Sequence, residues 1–165
     1  MIPTKIPLIE VNDKSISPYG ILLCKPNRKP NLSRGDIDYY HHIASSNDFT
    51  EHPVTSYLIS YRREPFLEKI ERHRHTEETF IPLTGKSVMV LGKPGILDES
   101  EFVAIHLDGS FGIQLYRDTW HFAPFALTEK STYLLLSGKD SGPDIEVVDV
   151  AGRGVTIPQD NKVSK

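Results

Sequence analysis

What most constrains this chain is how its apolar residues are parcelled: they come in short runs, each closed by a turn signal, and never form a long helical stripe. The runs are Tyr19 to Cys24, Ser56 to Tyr61, Glu78 to Leu83, Ser87 to Leu91, Phe102 to Leu107, Gly112 to Leu115, Thr132 to Leu136 and Ile145 to Val150. Each has the length of a strand and is rich in Val, Ile, Leu, Phe or Tyr. Between them stand Lys25-Pro26-Asn27-Arg28, Thr84-Gly85-Lys86, Gly92-Lys93-Pro94-Gly95, Asp108-Gly109-Ser110 and Ser137-Gly138-Lys139-Asp140-Ser141-Gly142, all turn chemistry. Short strands at this spacing point to an all-β sandwich or barrel. Only Asn12 to Tyr19 offers a helical turn, and no repeat stands out at solenoid or propeller periods.

The 165 residues fit one domain. Residues 1–157 are expected to form it, with 158–165 as a frayed C-terminal tail. The polar stretch from Lys25 to Pro53 reads as a long loop or as an arm over the barrel. A net charge of -3 gives no electrostatic case for nucleic acid. No apolar run approaches the ~18 residues of a membrane span, and no basic run suggests a membrane surface. The start Met1-Ile2-Pro3-Thr4-Lys5 lacks the pattern of a secretory signal. With Cys24 as the only cysteine, no disulfide can form within the chain, and the expected compartment is the cytoplasm.

The densest cluster of metal-capable side chains is Glu71-Arg72-His73-Arg74-His75-Thr76-Glu77-Glu78. Residues i and i+2 of a strand share a face, so His73 and His75 are expected to point the same way, with Glu78 following a turn later. Two neutral imidazoles and a carboxylate suit a divalent Zn, Fe, Mn, Ni or Co ion, and His121 at the end of a later strand is the best fourth ligand. The competing reading of a lone His-x-His is a polar strand face. The run His73-x-His75-x-x-Glu78-x6-Gly85 resembles the first cupin motif, in which two His and a Glu hold the metal and the Gly makes a tight turn. The fold this implies is a cupin-type β-barrel, a jelly-roll-like double-stranded β-helix. The second cupin motif is thinner: Tyr116-Arg117-Asp118-Thr119-Trp120-His121 keeps only its His.

Arg63 and Arg117 are candidates for gripping a substrate carboxylate with paired hydrogen bonds, Arg117 the stronger for its place beside His121. Trp120 completes the expected substrate-binding set. His41, His42 and His52 read as exposed, His106 as part of an alternating strand, and Cys24 as core.

The order of these pieces resembles the ureidoglycolate lyase family, itself of cupin fold. The resemblance runs through Ile16-Ser17-Pro18-Tyr19-Gly20, Tyr57-Leu58-Ile59-Ser60, Glu71-Arg72-His73 with Phe80-Ile81-Pro82-Leu83-Thr84-Gly85, Tyr116-Arg117-Asp118-Thr119-Trp120-His121 with Phe125-Ala126-Leu127, and Ser141-Gly142-Pro143-Asp144-Ile145-Glu146. It implies cleavage of ureidoglycolate, a small carboxylate-bearing substrate, to glyoxylate and urea in purine or allantoin breakdown. In that reading His73, His75, Glu78 and His121 hold the metal, Arg117 orients the carboxylate, and Glu77 or Tyr116 serves as acid or base. A homodimer is expected by analogy with cupins that pair through sheet edges. The chain departs from the family pattern where Arg74-His75-Thr76-Glu77-Glu78 replaces Pro-x-x-x-Gln, and where Tyr116 and Phe122-Ala123 stand in place of His and His-Pro. Those departures leave two alternatives: a different metal-dependent cupin enzyme (isomerase, decarboxylase or dioxygenase) on a small keto or hydroxy acid, or a cupin that binds a small ligand without turnover.

Overall fold

The computed structural model describes residues 4–40, 42–44, 53–138 and 141–159. The chain runs β1 (Lys5–Ile6), α1 (Asp13–Ile16), β2 (Gly20–Leu23), β3 (Leu32–Ser33), β4 (Asp38–Tyr39), β5 (Pro53–Tyr61), β6 (Phe66–His73), β7 (Glu78–Thr84) and β8 (Ser87–Gly92). It continues through β9 (Val103–Leu107), β10 (Gly112–Leu115), β11 (Trp120–His121), β12 (Phe125–Ala126), β13 (Lys130–Gly138) and β14 (Ile145–Val155). The one-turn helix α1 falls where a helical turn was expected. Asn12 caps it, its side chain accepting from the Ser15 N–H while the Ser15 hydroxyl accepts from the Asn12 N–H. The polar stretch after Cys24 carries the small hairpin β3–β4.

Two sheets organise the molecule. A five-stranded sheet runs β2-β10-β7-β13-β5, and a seven-stranded sheet runs β1-β14-β6-β11-β8-β12 with β9 on the other side of β8. The larger sheet curls until Leu8, just past β1, bridges Ala104 in β9, so it nearly closes on itself. Alternation along β8 explains why there are two apolar clusters. Met89 and Leu91 pack with Phe80, Ile105, Ile113, Leu115 and Tyr133 between the two sheets. Val88 and Val90, on the opposite face, pack with Ile6, Leu67, Ile70, Phe102, Trp120 and Phe125. A buried polar link joins the two sheets beside the first group, where the hydroxyls of Ser87 and Tyr133 meet.

Gly85 makes the tight turn between β7 and β8. Its φ of 77° lies in the left-handed region, and a Cβ there would run into the carbonyl oxygen of Lys130. Of the strands that the apolar runs do not show, β6 is the longest. Its apolar residues Phe66, Leu67 and Ile70 fail to alternate because the pairing with β14 shifts register between Asp149 and Arg153.

Candidate metal centre

His73 is the last residue of β6, and β11 pairs with β6 so that His121 stands directly opposite Glu71. Glu71, His73 and His121 therefore project from one face of the larger sheet. Glu78 opens β7 in the smaller sheet, opposite Leu115 and Ser137. The mouth between the two sheets thus brings together His73, Glu78 and His121, whose ligand atoms all lie within 4.8 Å of one another. The His121 Nε2 is 3.0 Å from Glu78 Oε2, the His73 Nε2 is 3.8 Å from the same oxygen, and Glu71 Oε1 is 3.9 Å from His121 Nε2.

The outer nitrogens are already committed. His73 Nδ1 donates to the Ser141 carbonyl at 3.0 Å, and His121 Nδ1 donates to the Thr119 carbonyl at 2.9 Å. Both Nε2 atoms are thereby aimed into the mouth, the arrangement that orients metal-binding imidazoles. The Phe80 ring meets His121 edge-on. Because Nδ1 of His121 is a donor, its contact with an ionised Glu78 requires a proton on Nε2 as well. The electrostatics agree. Burial alone would push His121 down, but the hydrogen bond and charge of Glu78, with smaller help from Thr119 and Glu71, raise it above its ordinary value. Burial pushes the Glu78 carboxyl up, and the His121 bond and the two imidazole charges outweigh it and hold it low. Two imidazole nitrogens and a carboxylate oxygen turned toward one point are a donor set that fits a divalent metal ion.

The other expected site residues fall elsewhere. β6 ends at His73, so the alternation rule does not reach His75. The Asp144 carboxylate accepts from the His75 N–H (2.8 Å), the Thr76 N–H (3.0 Å) and the Thr76 hydroxyl (3.1 Å), bending the chain. The His75 ring is left 83% exposed, outside the cluster. Glu77 lies on the opposite face from Glu78, where it accepts from Gln114 Nε2 at 2.8 Å. Trp120 likewise faces away from its neighbour His121. Its indole donates to the Gly95 carbonyl, and the Arg72 guanidinium sits 4.2 Å over its ring. Arg63 lies before β6, at the far end of the barrel from His73, donating to the carbonyls of Ala123 and Pro124. Tyr116 is 37% exposed, and Arg117 lies in the turn between β10 and β11 that leads to His121.

Glu71 is the mouth residue that the motif reading passes over, although it shares His73's parity along β6. Burial raises its carboxyl above the ordinary value, the nearby Glu78 adds to this, and the imidazoles offset only part of it.

A curled all-β domain with two imidazoles and a carboxylate converging between its sheets defines a cupin-type barrel with a candidate metal centre. Comparison with known proteins narrows this: the family model for ureidoglycolate lyase matches residues 4–157. The chain belongs to the ureidoglycolate lyase family. It is 26% identical over 159 residues to ureidoglycolate lyase 2 of Rhizobium meliloti, covering 88% of this chain and 92% of that protein. It is 24% identical over 157 residues to the ureidoglycolate lyase of Salmonella typhimurium, covering 87% and 94%.

Proposed function

We propose that this chain is a ureidoglycolate lyase, splitting ureidoglycolate into glyoxylate and urea. The observation that carries the reading is the convergence of His73, Glu78 and His121 in the mouth of a chain of this family. The substrate is a carbinolamine bearing a carboxylate. A divalent ion held by the three residues would act as a Lewis acid toward the substrate's hydroxyl and carboxylate oxygens.

The remaining chemistry is one proton's movement. The hydroxyl proton must leave oxygen as the C–N bond breaks, and a proton must reach the departing urea nitrogen. No water is consumed. Glu71, beside His121 and raised by burial above its ordinary value, is our choice to take the first proton and return it to nitrogen. It replaces Glu77, whose carboxylate points to the other face. Tyr116 remains available at the end of β10, and Arg117 is our choice for the substrate carboxylate. Zn, Mn, Ni, Fe and Co are the ions to try. The test is release of both urea and glyoxylate from racemic ureidoglycolate with each ion supplied. No product above background with any ion overturns the reading, and oxygen uptake with a keto or hydroxy acid would move the protein to a dioxygenase.

We also propose that residues 1–157 act as one catalytic domain, in the cytoplasm, and as a homodimer. The proposed tail 158–165 lies mostly outside the described residues. Among the described residues no helix is long and apolar enough to cross a membrane. What supports the dimer is the outer face of the five-stranded sheet. Strand β5 has no charged residue, and Tyr57, Ile59 and Tyr61 are exposed on the face opposite Leu58, close to exposed Ile81. Light scattering should give twice the mass of the chain, and a Tyr57→Asp, Ile59→Asp double variant should give the monomer.

A further inference from the structure

At the end of the barrel away from the metal centre there is a cleft of about 490 Å³, where β5 gives way to β6 and β7 to β8. Its floor and walls include Ala126 at the end of β12, Leu127 and Thr128 just past it, and Ile157 to Gln159 after β14. Its charged and titratable lining is Arg62, Arg63, Lys86 and His106, and no carboxylate among the described residues lines it. For a chain of net charge -3 this is a local excess of cations.

No ion pair among the described residues involves Arg62, Arg63 or Lys86. Arg63 is the most informative. Its guanidinium is fixed by the carbonyls of Pro124 and Ala123 at 3.2 and 2.8 Å and lies 4.3 Å over the Phe125 ring. Those partners satisfy its geometry and leave its charge without an acid, while burial disfavours the charged form. The Nε2 of His106 is also buried without a hydrogen-bond partner. Glu64 and Glu68 line a neighbouring groove that Arg63 shares with Phe122 and Phe125, and Glu64 also lines a groove that meets the cleft at Pro65, Ile157 and Gln159. Asp108, which acts on His106, lines another.

We propose that this cleft binds a small dianion, of phosphate or dicarboxylate type, between Arg62, Arg63 and Lys86. Arginine suits the planar faces of either oxyanion, and Lys86 adds a mobile point charge. The site is distinct from the metal centre and does not depend on the lyase reading, whose substrate carries one carboxylate.

Calorimetric titration of the full chain at fixed ionic strength tests it, with inorganic phosphate and succinate as separate ligands. One saturable site per chain is expected with at least one of them, and the tighter of the two identifies the class. Arg62→Gln with Lys86→Gln, both exposed side chains, should weaken it at least tenfold with the thermal melt unchanged. His121→Asn should leave it intact. Absence of saturable binding by both ligands overturns the proposal. So does binding that survives the double variant and disappears with His121→Asn, since the anion would then occupy the metal centre. Lyase turnover enters none of these measurements, so failure here and failure of the lyase reading are separable.

Discussion

The imidazole of His121 and the carboxylate of Glu78 meet across the gap between the two sheets, 3.0 Å apart, with the far nitrogen of His121 anchored on the Thr119 carbonyl. Neither strand alone makes this pair, because one residue comes from each sheet. His121→Asn and Glu78→Gln each remove one inward donor while keeping a polar group of similar size. Each should lower kcat/KM for ureidoglycolate by roughly 10²–10⁴-fold. Circular dichroism should report an unchanged fold, and bound metal per chain should fall in parallel with activity.

The same pair predicts the pH dependence of metal uptake. Glu78 raises His121, so the imidazole holds its Nε2 proton to higher pH than a free histidine would. A cation must displace that proton, and affinity should fall as pH drops through the raised value. Titrating zinc into weakly buffered protein near neutral pH should release a proton from wild type, and His121→Asn should release measurably less. Equal release from both would show that the ion binds elsewhere.

His75 supplies the control. Its ring is exposed, with Nε2 no nearer than 4.0 Å to the Asp144 carboxylate, and its N–H donates to that same carboxylate. His75→Ala should change stability by less than about 0.5 kcal/mol. Metal content and turnover should match wild type, as measured by elemental analysis beside the urea assay.

These contrasts show which parts of the site the sequence could disclose. His73, Glu78 and His121 were legible as a motif, and most strands were legible as apolar runs. His75 was misplaced because i, i+2 parity holds only inside a strand, and β6 stops at His73. What stops it is Asp144, some seventy residues away in sequence, whose carboxylate gathers the turn's N–H groups. Non-local hydrogen bonding of that kind leaves no mark in local periodicity. Glu71 was overlooked for the opposite reason. Its parity with His73 was readable, but its place beside His121 depends on the pairing of β6 with β11, which no local pattern shows.

Gly85 tests the turn that follows the motif. A side chain at φ 77° is strained, and its Cβ would also collide with the Lys130 carbonyl across the β7–β8 corner. Gly85→Ala should cost about 1–3 kcal/mol in a denaturant melt. Gly142→Ala, with open space around the added atom and no positive φ, should cost far less.

Asp144 acts on the centre through the backbone. By holding the N–H groups of His75 and Thr76 it fixes the short connection between His73 and Glu78. Asp144→Ala leaves those donors without their partner, and the expected loss is about 1–3 kcal/mol of stability. Metal affinity should weaken roughly tenfold, as for other groups that orient ligands. The pH signature separates this from generic damage. Burial pushes the Asp144 carboxyl up, but the bonds from His75 and Thr76 outweigh it and hold it below its ordinary 3.8. A depressed carboxyl contributes stability that is complete above the unfolded value and is lost as pH falls through the folded one. Wild type should therefore lose stability below about pH 4 relative to Asp144→Asn, which carries no titrating group there. Parallel acid titrations of the two melting temperatures would expose a structural role for Asp144 that is independent of its charge.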